Sequence, residues 1–347
     1  MLEAITKSIV IVIVTLTGCA TMTWVERKIV ARTQARYGPN RTGPFGLLQP
    51  LADALKLLFK EELIPARADR ILFILAPIVA VTPPLLLLGV VPLGATVNAG
   101  GTQVALSLTD INVAVIYVCA IASLSVYGVI LAGWASNNPY ASLGGLRSTA
   151  QMLSFQLPQA LAVVGVLLLS GSMSLNDIVL RQLATLQIDG KDVGVWFIFL
   201  QPVAGLVFLL TALVETDRAP FDPFQDDHAL IASYHTEYSG VKFALFFVAR
   251  YVKMIAISAL GVTLFFGGWL PPFANLLGGL WERIGGFSWL SPLWFGGKVL
   301  ALLVIMVWLR AALSRLSSDR LVSWGWKVLL PLSLLNIVVT AGLMVLL

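Results

Sequence analysis

Residues Glu26 to Pro65 read ERKIVARTQARYGPNRTGPFGLLQPLADALKLLFKEELIP, a polar and basic stretch held between two long apolar runs. A segment this dense in Arg, Gly and Pro, inside a chain that is otherwise soluble in lipid, is where chemistry at a membrane surface would be placed. Its first half carries Arg32, Arg36 and Arg41 among the breakers Gly38-Pro39 and Gly43-Pro44. Such a string cannot continue a helix and folds as a tight, cation-lined turn structure. In its second half Leu51, Ala54, Leu55, Leu58 and Phe59 share one helical face, while Asp53, Lys56, Lys60 and Glu61 take the others. That pattern predicts an amphipathic helix at the membrane interface. On pattern alone, a positive loop followed by an anchor helix with no chemistry is an equally available reading.

Working outward, composition sets the class. Hydrophobic residues make up 58% of the 347 and charged residues 12%, with a mean hydropathy of +0.88. A water-soluble surface does not tolerate that balance, so the solvent for most of the chain is lipid. A membrane-crossing helix needs roughly 20 apolar residues. Runs of that kind lie near 5–23, 72–93, 111–133, 151–170, 196–214, 243–266, 293–309 and 327–347. Their length and their internal Gly and Pro favour helices over the short alternating strands of a barrel. The expected fold is all-α: a polytopic membrane protein of about eight transmembrane helices, plus the amphipathic helix of the first loop. With no loop long enough for a soluble domain, residues 1–347 form a single integral domain. Its two main polar loops are 24–71 and 215–242.

Lys and Arg are distributed unevenly over the loops. Segments 24–71, 134–150, 215–242 and 310–327 hold sixteen, and the opposite side holds five: Lys7, Arg181, Lys191, Arg283 and Lys298. By the positive-inside rule the richer side is cytoplasmic and both termini face away from it. The net charge of +5 is thus a topology signal and not a sign of nucleic-acid binding. The basic loop could also touch anionic lipid headgroups. Cys19 and Cys119 are far apart within apolar runs, which supports neither a disulfide nor a metal site. Leu16-Thr17-Gly18-Cys19 resembles a lipoprotein cleavage box, but the apolar run around it is long enough to be a retained span.

Residue identity then narrows the reading. Gln34-Ala35-Arg36-Tyr37-Gly38-Pro39-Asn40-Arg41, with Gly46-Leu47-Leu48-Gln49 and Lys60-Glu61, resembles the quinone-chamber membrane subunit of respiratory complex I, the H-subunit family of bacterial NADH:quinone oxidoreductase. Gly144-Gly145-Leu146-Arg147 with Ala150-Gln151, Glu215 with Arg218-Ala219-Pro220-Phe221-Asp222, and Tyr234-His235-Thr236-Glu237-Tyr238-Ser239-Gly240 match further signatures in the family's order. Asp319 and Trp326-Lys327 followed by Pro331 complete the pattern.

The resemblance implies a subunit without catalysis of its own, in a proton-translocating NADH:quinone oxidoreductase. It would form the quinone chamber and link it to the proton-pumping arm. Quinone is then substrate, and neither a metal nor a covalent cofactor is expected. The partners would be peripheral-arm quinone-site subunits and antiporter-like membrane subunits, in the cell inner membrane with the main polar loops cytoplasmic. The spans from about 72 to 266 would look like one helix unit of the antiporter-type subunits. On this view Glu26, Arg27, Arg32, Arg36, Gly38, Arg41, Asp53, Arg218, Phe221 and Asp222 belong to the chamber. Gly38 and Gly43 permit close backbone approach. Glu215, Asp226, Asp227, Gln156, Arg250, Lys253 and His235 belong to the proton path or its coupling. A histidine titrates near neutral pH, but a lone loop histidine is more often structural, and neither His228 nor His235 is assigned a catalytic role.

The departures from the family pattern are informative. Where the family carries several glutamates after Pro-Phe-Asp, this chain has Pro223-Phe224-Gln225-Asp226-Asp227-His228-Ala229, and the glutamates of the fourth and sixth spans read Gln156 and Arg250. All eighteen Asp and Glu fall in tails, loops or span ends on this reading. Gln156 cannot titrate, and Arg250 with Lys253 makes a positive stripe that calls for a partner, such as Glu215, Asp226 or Asp227. The expectation is a divergent member with its acidic link rewired or lost. Two other classes stay open: the membrane anchor of an energy-converting hydrogenase-type complex, disfavoured by the intact Gly-Pro-Asn-Arg loop, and a stand-alone transporter, disfavoured by the scarcity of midplane polar groups.

Overall fold

The computed structural model describes residues 2–99, 102–104, 106–183, 186–188, 191–216, 233–271, 287–313 and 318–346. Seven of its helices are long and apolar enough to cross a membrane, and a shorter apolar helix, Pro202–Glu215, joins them. These eight correspond to the eight apolar runs, and the all-α class holds.

Helix α1 spans Leu2–Thr33, α2 Gln49–Leu58, α3 Arg70–Val90, α4 Ala114–Ala135 and α5 Pro139–Ser170. The short α6 (Leu175–Arg181) and α7 (Phe197–Leu200) precede α8 (Pro202–Glu215) and α9 (Gly240–Phe265). Helix α10 runs Phe287–Ala312 and α11 Ser318–Trp324; a π-helical turn over Gly325–Leu329 leads into α12, Leu330–Leu346. Two small antiparallel hairpins, Val97–Ala99 with Thr102–Val104 and Leu186–Ile188 with Lys191–Val193, decorate the connections.

Helix α9 is the hub. It touches α1, α2, α3, α5, α6, α7, α8 and α10, and its face from Tyr251 to Phe265 is almost wholly buried. Around it α3 packs on α4, α4 on α5, α5 on α8 and α12, and α10 on α1. Lipid offers no hydrophobic gain for packing one apolar helix on another, so small residues that allow close approach decide the pairs. At Gly128 of α4 an added Cβ would stand 2.8 Å from the backbone of Ala80 in α3. Asp69 caps α3 by accepting from the amides of Ile71 and Leu72, while its own amide donates to Ala135 at the end of α4. That bond fixes which ends lie together, and the end carrying residues 34–69 is called the loop end below.

Three boundaries differ from the sequence expectation, and the first of them moves a carboxylate into a membrane-length helix. Helix α1 continues ten residues past the apolar run, to Thr33, so Glu26, Arg27 and Arg32 are helical and not in a loop. Charged side chains end an apolar run but not a helix, because Glu, Arg and Lys are good helix formers. Helix α5 likewise begins at Pro139, after an Asn138 side-chain cap, which places Gly144 to Arg147 on the helix. The fifth span is broken at Gln201, where φ is −129° and ψ 61°, just before Pro202. Proline removes a helical donor and disfavours α geometry in the preceding residue. Finally, the extension of α1 brings Glu26 into a membrane-length helix, with 5% of its surface exposed, so the carboxylates are not confined to tails, loops and span ends.

Candidate functional site

Glu26 is the centre of the arrangement at the loop end. One carboxylate oxygen accepts the Tyr251 hydroxyl of α9 at 2.7 Å, and the other accepts Nη1 of Arg310 from α10. Three helices far apart in sequence thus meet on one buried carboxylate. Taking a lone carboxylate out of water is costly, and a cation plus a hydroxyl donor is the pairing that makes it tolerable. Neither partner was marked by the sequence reading. Arg310 lies at the end of an apolar run, where a topology signal hides any other role, and Tyr251 sits among the aromatics of a buried helix.

Around Glu26 a polar cavity of about 380 Å³ is lined by Arg27, Val30, Arg36, Tyr37, Gly38, Pro39 and Arg310. Glu26, Arg27, Arg36 and Gly38 are therefore brought together as expected. Gly38 passes so close to α1 that an added Cβ would be 3.1 Å from the Lys28 side chain and 3.2 Å from the Arg27 carbonyl. Asp53 of α2 joins from outside through a 2.7 Å ion pair with Arg27; it also accepts from Gln49, which accepts from Thr42. This chain of contacts ties the amphipathic helix to α1. Arg32 and Arg41 are exposed and do not line the cavity. The turn between is held in sterically unusual backbone: Gly43 and Gly46 have φ of 69° and 78°, and Phe45 has φ of 55° while its carbonyl accepts Trp24 Nε1 at 3.2 Å. The role of Gly46 was not anticipated.

Directly deeper on the same three helices lies an apolar cavity of about 520 Å³. Met22, Ile255, Ala259, Phe295, Val299 and Leu303 are among its lining residues. Met22 is one turn from Glu26 on α1, and Ile255 one turn from Tyr251 on α9, a spacing of about 6 Å at 1.5 Å per residue. A polar cavity and an apolar one are thus stacked along α1, α9 and α10.

On the other side of α9, Glu215 at the end of α8 is buried, with its carboxylate 3.9 Å from the Lys253 ammonium, itself 8% exposed. Glu215 is thus the partner of Lys253 in the positive stripe. Gln156 of α5 has its Nε2 buried without a hydrogen-bond partner among the described residues. His235, in the segment before α9, packs edge-on against Tyr234 and beside Phe243. Burial, and then the nearby Arg250 guanidinium, push its pKa down to about 4. The ring is thus held neutral at physiological pH among these aromatic neighbours. Arg218, Phe221, Asp222, Asp226 and Asp227 lie outside the described residues.

The segments flanking α9 are tied to the first loop. The Ser239 hydroxyl accepts from the Leu63 amide and donates to the Glu61 carbonyl, and Lys242 pairs with Glu62 at 2.7 Å. Glu237 accepts from Asn138 at the start of α5. Among the described residues no group of His, Cys, Asp and Glu could hold a metal ion.

Comparison with known proteins accords with this geometry. A sequence profile described as NADH dehydrogenase matches residues 6–341. The chain belongs to that family. It is 48% identical over 321 residues to the H subunit of NADH-quinone oxidoreductase from Thermomicrobium roseum, covering 92% of this chain and 90% of that protein. It is 44% identical over 341 residues to an H subunit of the same enzyme from Geobacter metallireducens, covering 98% and 96%. An H subunit from Geobacter sulfurreducens is 44% identical over 338 residues, covering 96% and 94%.

Proposed function

We propose that this chain is the membrane subunit of a proton-translocating NADH:quinone oxidoreductase, without catalysis of its own, and that it forms the quinone chamber. The observation that carries the reading is the stacking of a polar cavity at Glu26 on an apolar one along α1, α9 and α10. A quinone needs both: a few polar groups for its headgroup and an apolar channel for its isoprenoid tail. In this reading Arg310 and Tyr251 hold the Glu26 carboxylate in one orientation, Arg36 and Arg27 keep the headgroup end electropositive, and Gly38 lets the backbone close over it. The cavity opens toward the loop end, where peripheral-arm subunits would close it, and electrons would reach the quinone from cofactors on those partners. In this reading the chain itself contributes no metal or covalent cofactor.

The buried Glu215 beside Lys253 supplies a carboxylate on the opposite side of the same helix α9. That juxtaposition supports a link between quinone binding and the proton-pumping arm, with antiporter-like membrane subunits as neighbours. The sixteen Lys and Arg on one side support an inner-membrane location with the main loops cytoplasmic.

The test is Glu26→Gln in membranes containing the intact complex. Loss of the charge-assisted bonds raises the KM for quinone about tenfold, on the order of 1.4 kcal/mol. NADH oxidation by a soluble artificial acceptor, which bypasses the quinone, stays unchanged. An unaltered quinone KM would contradict the chamber assignment.

A further inference from the structure

The last span begins with a feature that the quinone chamber leaves unused. Asp319, Arg320, Ser323, Trp324, Lys327 and Val328 line an open groove of about 430 Å³ at the loop end. Arg320 and Lys327 are both exposed and stand two helical turns apart along the groove, with a hydroxyl and an indole between them. Asp319 offsets one of the two cations, leaving a net positive charge. We propose that this groove binds the headgroup phosphate of an anionic phospholipid.

Three observations support that occupant. First, the charge is complementary: two exposed cations and a hydroxyl line one open groove. Arg offers a planar fork for phosphate oxygens and Lys a mobile point charge. Second, the groove sits at the head of a membrane-length helix, Asp319–Leu346, at the end where the basic loop also lies. Trp at that level is the usual marker of the headgroup layer. Third, below the groove the same helix exposes an apolar stripe. Leu334 lies two turns beyond Lys327, followed by Val338 and Val345, which are 70% and 87% exposed. An acyl chain hanging from a phosphate in the groove would run along those residues.

The groove is also held in place. The π-helical turn Gly325–Leu329 widens the helix where Trp326 donates to the Ser154 hydroxyl of α5 at 3.1 Å. An added Cβ on Gly325 would stand 3.2 Å from the Ser154 carbonyl, so glycine is what lets this turn sit against α5. The contact fixes the rotation of the last span and so the direction in which Arg320 and Lys327 project.

The experiment is photo-crosslinking in the intact membrane complex. Complex reconstituted in vesicles receives phosphatidylglycerol carrying a diazirine on one acyl chain, and the labelled peptides are located by mass spectrometry. A parallel sample receives the phosphatidylcholine analogue. Label from the anionic lipid is expected on residues 334–345. It should fall about fivefold for each cation removed by Arg320→Gln or Lys327→Gln, and persist in Arg320→Lys. Label on the exposed face of α1 serves as the internal reference and reports that the variants remain assembled. Equal labelling by the neutral lipid, or labelling that ignores both substitutions, would overturn the proposal. So would an unlabelled stripe, which would mean that another subunit covers it. None of these readouts depends on quinone reduction, so the chamber assignment and the lipid site stand or fall separately.

Discussion

At the scale of single residues, Glu26 shows how a charge can sit in a lipid-soluble chain. Its two oxygens are taken by two different partners, and each partner comes from a separate helix. Removing one partner of such a buried pair leaves the other charge uncompensated, at a cost of about 3–5 kcal/mol. His235 illustrates the opposite solution, a titratable group kept neutral. Its folded pKa of about 4 lies below the ordinary 6.5. The contribution of the neutral ring to stability is therefore complete above pH 6.5, and it is lost as the pH falls from there toward 4. The Tm of the parent should drop more than that of His235→Gln between pH 7.5 and 5. Quinone reduction between pH 6 and 8 should show no titration that His235→Gln abolishes. A histidine-dependent step in that range would mean that His235 takes part in the proton path as a titrating group.

At the scale of elements, what was readable in the sequence follows from how strong each signal is. Eight apolar runs gave seven membrane-length helices and one shorter apolar helix among the described residues, because nothing except lipid explains runs of that length. The ends were misread wherever a good helix former carried charge, as in Glu26 to Arg32, and at Gln201, where one proline breaks an otherwise uniform run. The site was legible where the motif is local: Arg36 and Gly38 line the cavity, and Asp53 supports it through Arg27. It was illegible where the partners come from afar, as with Tyr251 and Arg310. Only the packing of α1, α9 and α10 reveals them. The same packing carries another long-range tie. Lys298 of α10 donates to the carbonyls of Phe266, Gly268 and Leu270 just past α9, and lies over the Trp196 ring at 4.7 Å. These carbonyls lie at and beyond the C-terminal end of α9, outside its helical ladder, so the ammonium ties the turn that follows the hub helix to α10. Lys298→Met should destabilise the assembled protein by about 1.5–3 kcal/mol, read as a lower Tm in detergent. An unchanged Tm would mean that water replaces these bonds without cost.

At the scale of the molecule, α9 stands between two buried carboxylates, Glu26 on one side and Glu215 on the other. In the proposed reading Glu215, buried in the bundle beside Lys253, is the interior carboxylate that Gln156 and Arg250 do not supply. Placing glutamate at 156 and 250 should change the proton yield while quinone affinity stays within about twofold. A large fall in affinity would break the division of labour between the two sides of α9.

The most direct measurement is dye-reported proton uptake per quinone reduced, in inverted vesicles whose complex contains this chain as the sole version of its chamber-forming membrane subunit. Inhibitor-sensitive quinone reduction with uptake in the parent, and with uptake lost in Glu215→Gln while the quinone KM is kept, is the expected result. Quinone reduction without uptake in the parent would contradict the link to the proton arm, and the absence of inhibitor-sensitive quinone reduction would contradict the chamber itself.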